Sequence, residues 1–211
     1  MKKRKLIIIP AYNESACIEK TVKDIQKYAP EFDYIVINDC STDNTREICE
    51  QHGFHLINLP VNLGIGGAVQ TGYLYGYRNG YDMAVQVDGD GQHNPAFLNE
   101  MAETLEKEKL DMVIGSRFNL RKKAFKSYEY EKIGIRYFSA LIKILTGVRI
   151  TDPTSGLRLV NRKVMKEFAH NYPKDYPEPE SVVAILERNC KVKEIPVVMR
   201  KRMGGVSSIS M

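Results

Sequence analysis

Short apolar runs alternate with amphipathic stretches along the first half of the chain, and this alternation predicts the secondary structure. Between the runs, apolar residues recur at helical spacing, as at Ile18, Val22 and Ile25. The runs have strand length and are Leu6–Ile9, Tyr34–Ile37, His55–Leu59, Met83–Val87 and Asp111–Gly115. Strands that alternate with helices predict a doubly wound α/β fold, in which helices cover both faces of a mostly parallel sheet.

Local signals predict where two of the helices begin. Ser41, Thr42 and Asp43 follow the second strand and are favoured cap residues, so a helix is predicted directly after them. Asn94 and Pro95 follow the fourth strand. Asparagine caps helices and proline is tolerated at the first helical position, so the next helix is predicted there.

The pattern is less regular after Ser116. Residues 117–132 mix charged and aromatic side chains without a clear period, and they precede a predicted apolar helix at Ile133–Thr146. Three prolines then predict a stiff loop: Pro173, Pro177 and Pro179. A last helix at Ser181–Arg188 and a last strand at Val192–Val198 complete the prediction.

Length and composition indicate a single domain, residues 1–211. The chain has 211 residues, of which 43% are apolar, and this is enough for one hydrophobic core. No CxxC pair is present, which is typical of reduced cysteines in a core or a helix: Cys17, Cys40, Cys49 and Cys190. No signal peptide and no apolar run of membrane-spanning length is found, which favours a cytosolic location. A longer natural protein that continues beyond Met211 remains open.

The positive charge of the chain is modest in total but unevenly distributed. The formal net charge is +5, and basic residues cluster near the start, in the middle and near the end of the chain. The clusters are Lys2, Lys3, Arg4 and Lys5; Arg117, Arg121, Lys122, Lys123 and Lys126; and Arg200, Lys201 and Arg202. Such clusters indicate anionic partners: phosphate groups, nucleic acid or an anionic membrane surface. Lysines that serve only solubility remain the alternative, most of all in the first cluster.

The most informative motif is an apolar strand that runs directly into two carboxylates, Asp88 and Asp90, separated by Gly89. Ligands bind at the carboxyl ends of strands in open α/β sheets, and a glycine lets the backbone approach a ligand closely. Two hard oxygen donors at such a position suit Mg²⁺ or Mn²⁺, whose coordination is completed by water and substrate phosphates. A polar turn that closes a hairpin is the alternative, because Asp-Gly is a common turn pair.

Acidic residues follow three neighbouring strands of the predicted sheet. Glu14 follows the first strand, Asp39 the second, and Asp88 and Asp90 the fourth. Acids gathered in one crevice repel each other unless a cation or a hydrogen-bonding ligand holds them. A nucleotide suits this arrangement: Asp39 would accept from a base N–H group, Glu14 from a ribose hydroxyl, and a metal ion would bridge the diphosphate. Taken singly, each acid is more typical of a cap or a loop.

Several other motifs leave their roles open. Arg117 and Arg202 could each hold a phosphate group or form a surface salt bridge, and His93 could line the crevice or cap the next helix. Asp152 is either a turn acid or a carboxylate at the reacting centre. The glycine-rich stretch at 62–68 lacks the lysine of a phosphate-binding loop and the third glycine of a dinucleotide motif, so glycines that permit close helix packing are favoured there.

Together these motifs resemble family 2 glycosyltransferases, and within that family the polyprenyl- and dolichyl-phosphate sugar synthases. The resemblance covers nearly the whole chain. In order, the motifs are Ile9-Pro10-Ala11-Tyr12-Asn13-Glu14, Asn38-Asp39-Cys40-Ser41-Thr42-Asp43, Asn62-x-Gly64, Asp88-Gly89-Asp90-Gly91-Gln92-His93, Gly115-Ser116-Arg117, Asp152-x-x-Ser155-Gly156-x-Arg158 and Arg202-x-x-Gly205-x-Ser207. Two positions depart from the family pattern: Asn38 replaces the first of two aspartates, and Ser208 stands where many relatives have lysine.

The resemblance implies a GT-A fold, with a nucleotide-binding half at 1–116 and an acceptor-binding half at 117–211. It implies an inverting transfer from a nucleotide diphosphate sugar to a polyprenyl phosphate at the cytoplasmic membrane face. By motif, the implied nucleoside ligands are Pro10, Tyr12, Glu14 and Asp39, and the implied metal ligands are Asp88, Asp90 and Gln92. The implied substrate contacts are Arg117 to the acceptor phosphate, Arg202 to the donor diphosphate, and Ser155. Asp152 is placed near the reacting carbon and is a predicted catalytic residue with Asp90 and Arg117.

The donor and the need for a base stay open. The stretch 177–180 resembles bacterial members that build cell-surface polysaccharides, which favours UDP-glucose or UDP-N-acetylglucosamine, with GDP-mannose as the alternative. A lipid phosphate is already ionised at neutral pH, so Asp152 would orient the sugar or stabilise the reacting centre. A saccharide hydroxyl would need Asp152 or Glu178 as base. A nucleotidyltransferase and a nucleic-acid-binding module are further alternatives. This chain lacks the glycine- and arginine-rich opening motif of nucleotidyltransferases. The acidic crevice disfavours binding of nucleic acid.

Residues 117–145 are expected to contact the membrane from the cytoplasmic side. Basic residues there interleave with aromatic ones: Phe118, Phe125, Tyr128, Tyr130, Tyr137 and Phe138. The loop is expected to contact the acceptor and lipid headgroups, whereas a core-facing stripe is favoured for the helix: Phe138, Leu141, Ile142 and Leu145. The expected partners are a nucleotide sugar, a polyprenyl phosphate and the membrane, without nucleic acid. A small membrane protein partner and a homo-oligomer remain open.

Overall fold

The structure, a computed structural model, describes residues 3–118, 129–174 and 177–200. For residues 129–133 it describes the backbone alone. The described strands are β1 (Lys5–Ala11), β2 (Asp33–Asn38), β3 (Leu56–Asn58), β4 (Met83–Gln86), β5 (Met112–Ser116), β6 (Arg158–Asn161) and β7 (Val192–Pro196). The described α-helices are α1 (Ile18–Tyr28), α2 (Thr45–Gln51), α3 (Gly64–Arg78), α4 (Leu98–Lys107), α5 (Glu129–Thr146), α6 (Arg162–His170) and α7 (Pro177–Glu187). A 3₁₀ turn at Pro95–Phe97 precedes α4.

All the described strands form one sheet with the order β3-β2-β1-β4-β6-β5-β7. β6 runs antiparallel to β4 and β5, and the other pairings are parallel. At the centre of the sheet, Ile8 of β1 is in register with Ile35 of β2 and with Gln86 of β4. The predicted mostly parallel α/β sheet is therefore confirmed, and the carboxyl ends of β2, β1 and β4 lie side by side.

The sheet separates two hydrophobic layers because successive residues of a strand point to opposite faces. Ile8 faces the layer that contains Tyr73 of α3 and Phe168 of α6. Ile7 faces the layer that contains Val22 of α1 and Leu98 of α4. All of these side chains are at most 1% exposed, so β1 is held in the sheet by burial on both of its faces.

Most elements of the first half lie within one or two residues of their predicted positions. The predicted strand at Leu6–Ile9 extends to Lys5–Ala11, whereas the predicted strand at His55–Leu59 shortens to Leu56–Asn58. Asn94 caps the 3₁₀ turn as predicted, because its side chain accepts the N–H of Ala96 at 3.2 Å. Hydrophobic periodicity therefore located the elements well where strands and helices alternate regularly.

The prolines near residue 177 were interpreted wrongly as loop residues. Helix α7 begins at Pro177 and includes Pro179, so both lie in its first turn. The first N–H groups of a helix have no acceptor within the helix, and proline there removes no helical hydrogen bond. Helix α5 likewise begins at Glu129, earlier than the predicted Ile133.

Sequence reasoning missed β6 and α6. Strand β6 has four residues and begins with Arg158, which is only 1% exposed. Helix α6 follows it without a connecting loop, and Asn161 caps this helix by accepting the N–H of Val164 at 3.0 Å. A short strand that starts with a charged residue lacks the apolar run that identified the other strands.

Candidate active site

The loops after β1 and β4 lie against each other at the carboxyl edge of the sheet. A Cβ atom on Gly89 would be 3.1 Å from the carbonyl oxygen of Pro10 and 3.3 Å from Cγ of Glu14. The hydroxyl of Thr21 donates to the carbonyl oxygen of Gly89 at 2.9 Å. Glycine thus permits the close approach of the two loops and brings Glu14 next to the segment that contains Asp88 and Asp90.

The loop after β1 also binds the loop after β2. Asn13 adopts the left-handed conformation with φ of 56°, and its side-chain oxygen accepts the N–H of Thr42 at 2.8 Å. The hydroxyl of Ser41 accepts the N–H of Asn13 at 3.0 Å. Of the three predicted cap residues, only Asp43 binds the start of α2, by accepting the N–H of Thr45 at 3.0 Å. The cap assignment of Ser41 and Thr42 was wrong, because these residues join the two loops.

Asp39 lies buried at the end of β2, with 3% of its surface exposed. Its carboxylate accepts the N–H of Leu63 at 2.7 Å, and its carbonyl oxygen accepts the side-chain N–H of Asn62 at 3.2 Å. Burial raises the pKa of Asp39, while the backbone amides of Leu63 and Gly64 act to lower it. Tyr12 after β1 remains 49% exposed. Asp39 and Tyr12 therefore bring a buried acceptor and an exposed ring to neighbouring strand ends.

The glycine-rich stretch at 62–68 serves helix packing, as predicted. A Cβ atom on Gly66 would be 2.4 Å from the carbonyl oxygen of Pro173, so the start of α3 contacts that backbone directly. Further along α3, a Cβ atom on Gly72 would be 2.1 Å from Cγ2 of Ile8 in β1. No larger residue fits at either position without a shift of the backbone or the core.

Asp88 and Asp90 follow β4 and are held in defined orientations. The side-chain N–H of Gln86 donates to Oδ1 of Asp88 at 2.9 Å, and Nδ1 of His93 accepts the Asp88 N–H at 3.0 Å. Oδ1 of Asp90 accepts the N–H of Gln92 at 2.9 Å. The carboxylate of Asp88 is 36% exposed, whereas Asp90 is only 6% exposed. His93 does not cap the next helix, because Asn94 has that role.

The donor set of this loop fits Mg²⁺ or Mn²⁺. Within the described ranges, no three side chains of the histidine, cysteine, aspartate and glutamate types are grouped as a complete metal site. Mg²⁺ usually takes one or two protein carboxylates and completes its octahedron with water and phosphate oxygens. Asp88 and Asp90 are two residues apart at the carboxyl edge of the sheet, where ligands bind in open α/β folds, and this matches that requirement.

Arg117 and Asp152 form a buried ion pair between β5 and the loop before β6. The guanidinium of Arg117 donates to both carboxylate oxygens of Asp152, at 2.9 and 2.7 Å, and the Arg117 N–H adds a third bond at 2.9 Å. Asp152 is fully buried, while the Arg117 side chain is 21% exposed. The carboxylate of Glu194 on β7 accepts the N–H groups of Thr151 and Asp152 at 2.8 and 2.7 Å. Asp152 thus faces Arg117 from a fixed loop.

The segment between Asp152 and β6 contacts both β4 and β5. Arg158 is buried and donates to the carbonyl oxygens of Ser155 and Pro153 at 2.7 and 2.8 Å. The hydroxyl of Ser155 donates to the carbonyl oxygen of Gly115 at 2.6 Å, so its predicted contact with substrate stays a prediction. A Cβ atom on Gly156 would be 3.4 Å from Oδ2 of Asp88. This segment therefore reaches the carboxylates after β4.

Glu178 lies half-buried in the first turn of α7. Burial raises the pKa of its carboxyl group, and the positive charge of Arg158 acts against this shift. Arg158 also donates to the hydroxyl of Ser181 in α7 at 2.5 Å, which ties the helix to the segment before β6. Glu178 is therefore an acid of α7 that interacts electrostatically with the buried Arg158.

The exposed surface of α5 combines apolar and basic residues. Ile144 is 79% exposed and Leu145 is 56% exposed, so the predicted core-facing stripe is wrong at Leu145, although Ile142 is buried. A groove of about 330 Å³ beside the helix is lined by Arg136, Lys143 and Arg149 among others. Among the described helices, none combines the length and apolarity needed to cross a bilayer.

Part of the predicted site falls outside the described residues. This applies to the basic and aromatic residues Lys2, Arg121, Lys122, Lys123, Phe125, Lys126, Tyr128, Lys201 and Arg202, and to Gly205, Ser207 and Ser208. Arg200, the last described residue, lies near the loop after β4, because its N–H donates to the carbonyl oxygen of Gln92 at 2.8 Å. The predicted contact of Arg202 with a diphosphate stays a prediction.

Sequence reasoning did not identify Gln86 and Glu194 as parts of the site. Gln86 is a single polar residue inside an apolar strand, two positions before Asp88, and residues two apart on a strand share a face. That spacing was a usable signal. For Glu194 no such signal existed, because its contact with Thr151 and Asp152 joins segments 42 to 43 residues apart in sequence.

Comparisons with known proteins give one consistent picture. The sequence model for Glycosyl transferase family 2 matches residues 6–168. A UDP-N-acetylglucosamine–dolichyl-phosphate N-acetylglucosaminyltransferase of Methanococcus voltae is 29% identical over 211 residues, covering 90% of this chain and 83% of the relative. An undecaprenyl-phosphate mannosyltransferase of Micrococcus luteus is 32% identical over 160 residues, covering 74% of this chain and 65% of the relative.

A solved structure shares the fold. The glucosyl-3-phosphoglycerate synthase of Mycobacterium tuberculosis, crystallised with Mn²⁺, UDP and phosphoglyceric acid, superposes with a TM-score of 0.74. The two sequences are 20% identical, and the match covers 95% of this chain and 71% of that chain. At this identity the similarity establishes the GT-A architecture of the sheet.

Proposed function

This chain belongs to Glycosyl transferase family 2, and from that premise we propose that it transfers a sugar from a nucleotide diphosphate sugar to a polyprenyl phosphate at the cytoplasmic membrane face, for the synthesis of cell-surface polysaccharide. The observation that carries the proposal is the grouping of Glu14, Asp39, Asp88 and Asp90 at adjacent strand ends. UDP-glucose or UDP-N-acetylglucosamine is the favoured donor. GDP-mannose is the alternative, which the mannosyltransferase among the relatives supports.

The donor nucleoside would bind between the loops after β1 and β2. Asp39 presents a buried carboxylate to a base N–H group, and Pro10 and Tyr12 contact the base. Glu14 accepts from a ribose hydroxyl. Since the Leu63 N–H already binds one oxygen of Asp39, the carboxylate is oriented before the nucleotide arrives.

The diphosphate would lie over the loop after β4. Asp88, Asp90 and Gln92 would hold a divalent ion there, and Arg202 would contact the donor phosphates. A bound Mg²⁺ or Mn²⁺ supplies positive charge that stabilises the leaving nucleoside diphosphate. The chain itself orients both carboxylates, because the Gln86 side chain donates to Asp88 and the Gln92 N–H donates to Asp90, while His93 accepts the backbone N–H of Asp88.

Asp152 would act on the acceptor side through Arg117. A carboxylate that accepts three hydrogen bonds from an arginine and is fully buried is poorly placed to remove a proton from a substrate. A lipid phosphate carries its negative charge at neutral pH and needs no such base. We propose that Asp152 orients Arg117 toward the acceptor phosphate, which attacks the anomeric carbon in line and inverts it.

A saccharide hydroxyl is the second candidate acceptor. One observation favours it, namely that burial raises the pKa of Glu178. A carboxylate with a raised pKa is a stronger base, and a hydroxyl nucleophile requires one.

Product analysis tests the proposed acceptor. Purified protein is incubated with Mn²⁺, each of the three nucleotide sugars and either undecaprenyl phosphate or an oligosaccharide. We expect a lipid-phosphate sugar of inverted anomeric configuration from one donor. A product on the oligosaccharide alone, or retention of configuration, contradicts the proposal.

The exposed face of α5 would rest on an anionic bilayer. Tyr137 and Ile144 are 64% and 79% exposed, and the adjacent groove is lined by Arg136, Lys143 and Arg149. Apolar side chains that insert beside cationic ones are typical of interfacial helices. Within the described ranges these three cations form no ion pair, so their charge remains available to lipid phosphates or to the acceptor phosphate.

Replacing both Ile144 and Leu145 with serine is expected to lower the affinity for anionic vesicles at least about tenfold. The two apolar side chains gain free energy when they move from water into the bilayer, and serine lacks this gain. Vesicle flotation with and without phosphatidylglycerol measures this change. Tyr28→Ser, at a 40% exposed aromatic residue of α1, is the matched control and should float like the parent protein. Equal flotation of all three proteins contradicts the proposed membrane face.

A further inference from the structure

Two buried polar side chains, Gln86 and His93, make their only described polar contacts to one residue, Asp88. Gln86 is 2% exposed and donates to Oδ1 of Asp88 at 2.9 Å. His93 is 5% exposed, and its Nδ1 accepts the Asp88 N–H at 3.0 Å. The other ring nitrogen of His93, Nε2, lies 3.6 Å from Oδ2 of Asp88. The two side chains thus bind Asp88 at Oδ1 and at the backbone N–H, and His93 also lies near Oδ2.

Neither side chain has an evident structural reason to be polar. Gln86 ends a strand whose other members are Met83, Ala84 and Val85, and an apolar residue would avoid the cost of burying an amide. His93 does not cap the following helix, because Asn94 accepts the first N–H there. A function that needs the orientation of Asp88 explains both residues.

The hydrogen bond from Asp88 also assigns the form of the imidazole. Nδ1 accepts an N–H, so it carries no proton, and the neutral ring is protonated at Nε2. Nε2 lies 3.6 Å from Oδ2 of Asp88, beyond hydrogen-bond distance, while Gln86 donates to Oδ1. These contacts oppose rotation of the carboxylate about its own axis.

Gly156 completes the surroundings of Asp88. A Cβ atom at this position would be 3.2 Å from Nε2 of Gln86, 3.4 Å from Oδ2 of Asp88 and 3.5 Å from Cε1 of His93. A methyl group would meet all three side chains at once. The contact with Gln86 would be tight, so a methyl group here would displace the Gln86 amide by a few tenths of an ångström from its position against Asp88.

We propose that Gln86 and His93 are positioning residues that fix the Asp88 carboxylate in the orientation that holds a divalent cation, and that Gly156 preserves this arrangement. The inference rests on the proposed function, in which Asp88 is a metal ligand. Partners that orient a ligating carboxylate commonly change metal affinity ten- to a hundredfold when removed.

Metal-free protein provides the first test, by hydrogen exchange of the Asp88 amide. His93→Gln removes the acceptor at the Nδ1 position, whereas His93→Asn keeps an acceptor there. We expect exchange at Asp88 to accelerate at least about tenfold in His93→Gln and to stay near the parent rate in His93→Asn. Equal rates in both variants overturn the assignment of His93.

Metal dependence of nucleotide binding provides the second test. UDP and GDP are each titrated by calorimetry over a range of Mn²⁺ concentrations, and the nucleotide that the parent protein binds more tightly is used for the variants. The Mn²⁺ concentration for half-maximal binding should rise about ten- to a hundredfold in Gln86→Leu, His93→Gln and Gly156→Ala. Tyr81→Phe removes a donor to another carboxylate, that of Asp33 at the amino end of β2, and should match the parent.

The outcomes separate the inference from the proposed function. If the parent requires Mn²⁺ and the folded variants require no more of it, the positioning role is overturned and the metal site stands. If nucleotide binding by the parent is indifferent to Mn²⁺ and to Asp88→Asn, the proposed function fails and the inference fails with it. Retention of a cooperative thermal transition shows that each variant is folded, and loss of folding in Gln86→Leu leaves the two His93 variants to decide.

Discussion

Replacing Asp90 with asparagine is expected to lower sugar transfer by about a thousandfold. The substitution keeps the shape of the side chain and the acceptor for the Gln92 N–H, but it removes the negative charge that, in the proposed function, would bind a divalent cation. Metal-assisted charge stabilisation contributes several kcal/mol to such reactions, and each 1.4 kcal/mol corresponds to a factor of ten in rate. Initial rates of transfer to undecaprenyl phosphate at saturating Mn²⁺ measure the loss.

The chain offers a matched control for this substitution. Asp82 lies directly before β4, at the opposite end of the strand that leads to Asp88, and its carboxylate accepts the Arg4 N–H at 2.8 Å. Asp82→Asn removes one negative charge from the same strand and should keep transfer within about twofold of the parent. Similar rates for Asp90→Asn and Asp82→Asn would mean that the carboxylate after β4 does not contribute to the reaction.

The second large effect is expected at Asp152. Asp152→Ala leaves the guanidinium of Arg117 without its counter-charge, and breaking a buried ion pair costs about 3–5 kcal/mol. Since the Arg117 side chain is 21% exposed, we expect a smaller loss than this range, about 2–3 kcal/mol of unfolding free energy. Urea denaturation measures this loss.

Asp152→Asn separates orientation from proton removal. If Asp152 only orients Arg117, Asp152→Asn and Arg117→Gln should each lower transfer about a hundredfold, and the double variant should lose little more than either one, because both act through one contact. The KM for the lipid phosphate should rise in all three variants. An obligatory base predicts a different result, namely a near-complete loss in kcat for Asp152→Asn alone and an additive effect of Arg117→Gln.

Hydrophobic patterning was sufficient to predict the first half of the fold. In residues 1–116 each strand is an apolar run, each connection is short, and the strand ends that carry Glu14, Asp39 and Asp88 follow from a parallel order. Local residue types also predicted the cap at Asn94 correctly. Gly89 was expected to let the backbone approach a ligand, and in the structure it permits the close approach of the loop after β1. The prediction worked where a single regular pattern determines both the element and its direction.

The second half could not be predicted in the same way because its contacts are non-local. Strand β6 runs antiparallel between β4 and β5, and this insertion places Asp152 beside Arg117, 35 residues earlier in the chain. The same insertion brings Gly156 to Asp88. No periodicity in the sequence encodes that a four-residue strand with a buried arginine enters the sheet between β4 and β5. Cap residues such as Ser41 were misassigned for a related reason, since they bind the neighbouring loop rather than their own helix.

Diffraction at the manganese edge tests the central claim most directly. Crystals are grown with Mn²⁺ and with whichever of UDP or GDP binds the protein, and an anomalous difference map locates the ion. The account predicts one strong peak about 2 Å from carboxylate oxygens of the loop after β4, at Asp88 and Asp90, with diphosphate oxygens on its other side. A bound nucleotide whose diphosphate lies away from this loop, or an ion held elsewhere, would contradict it.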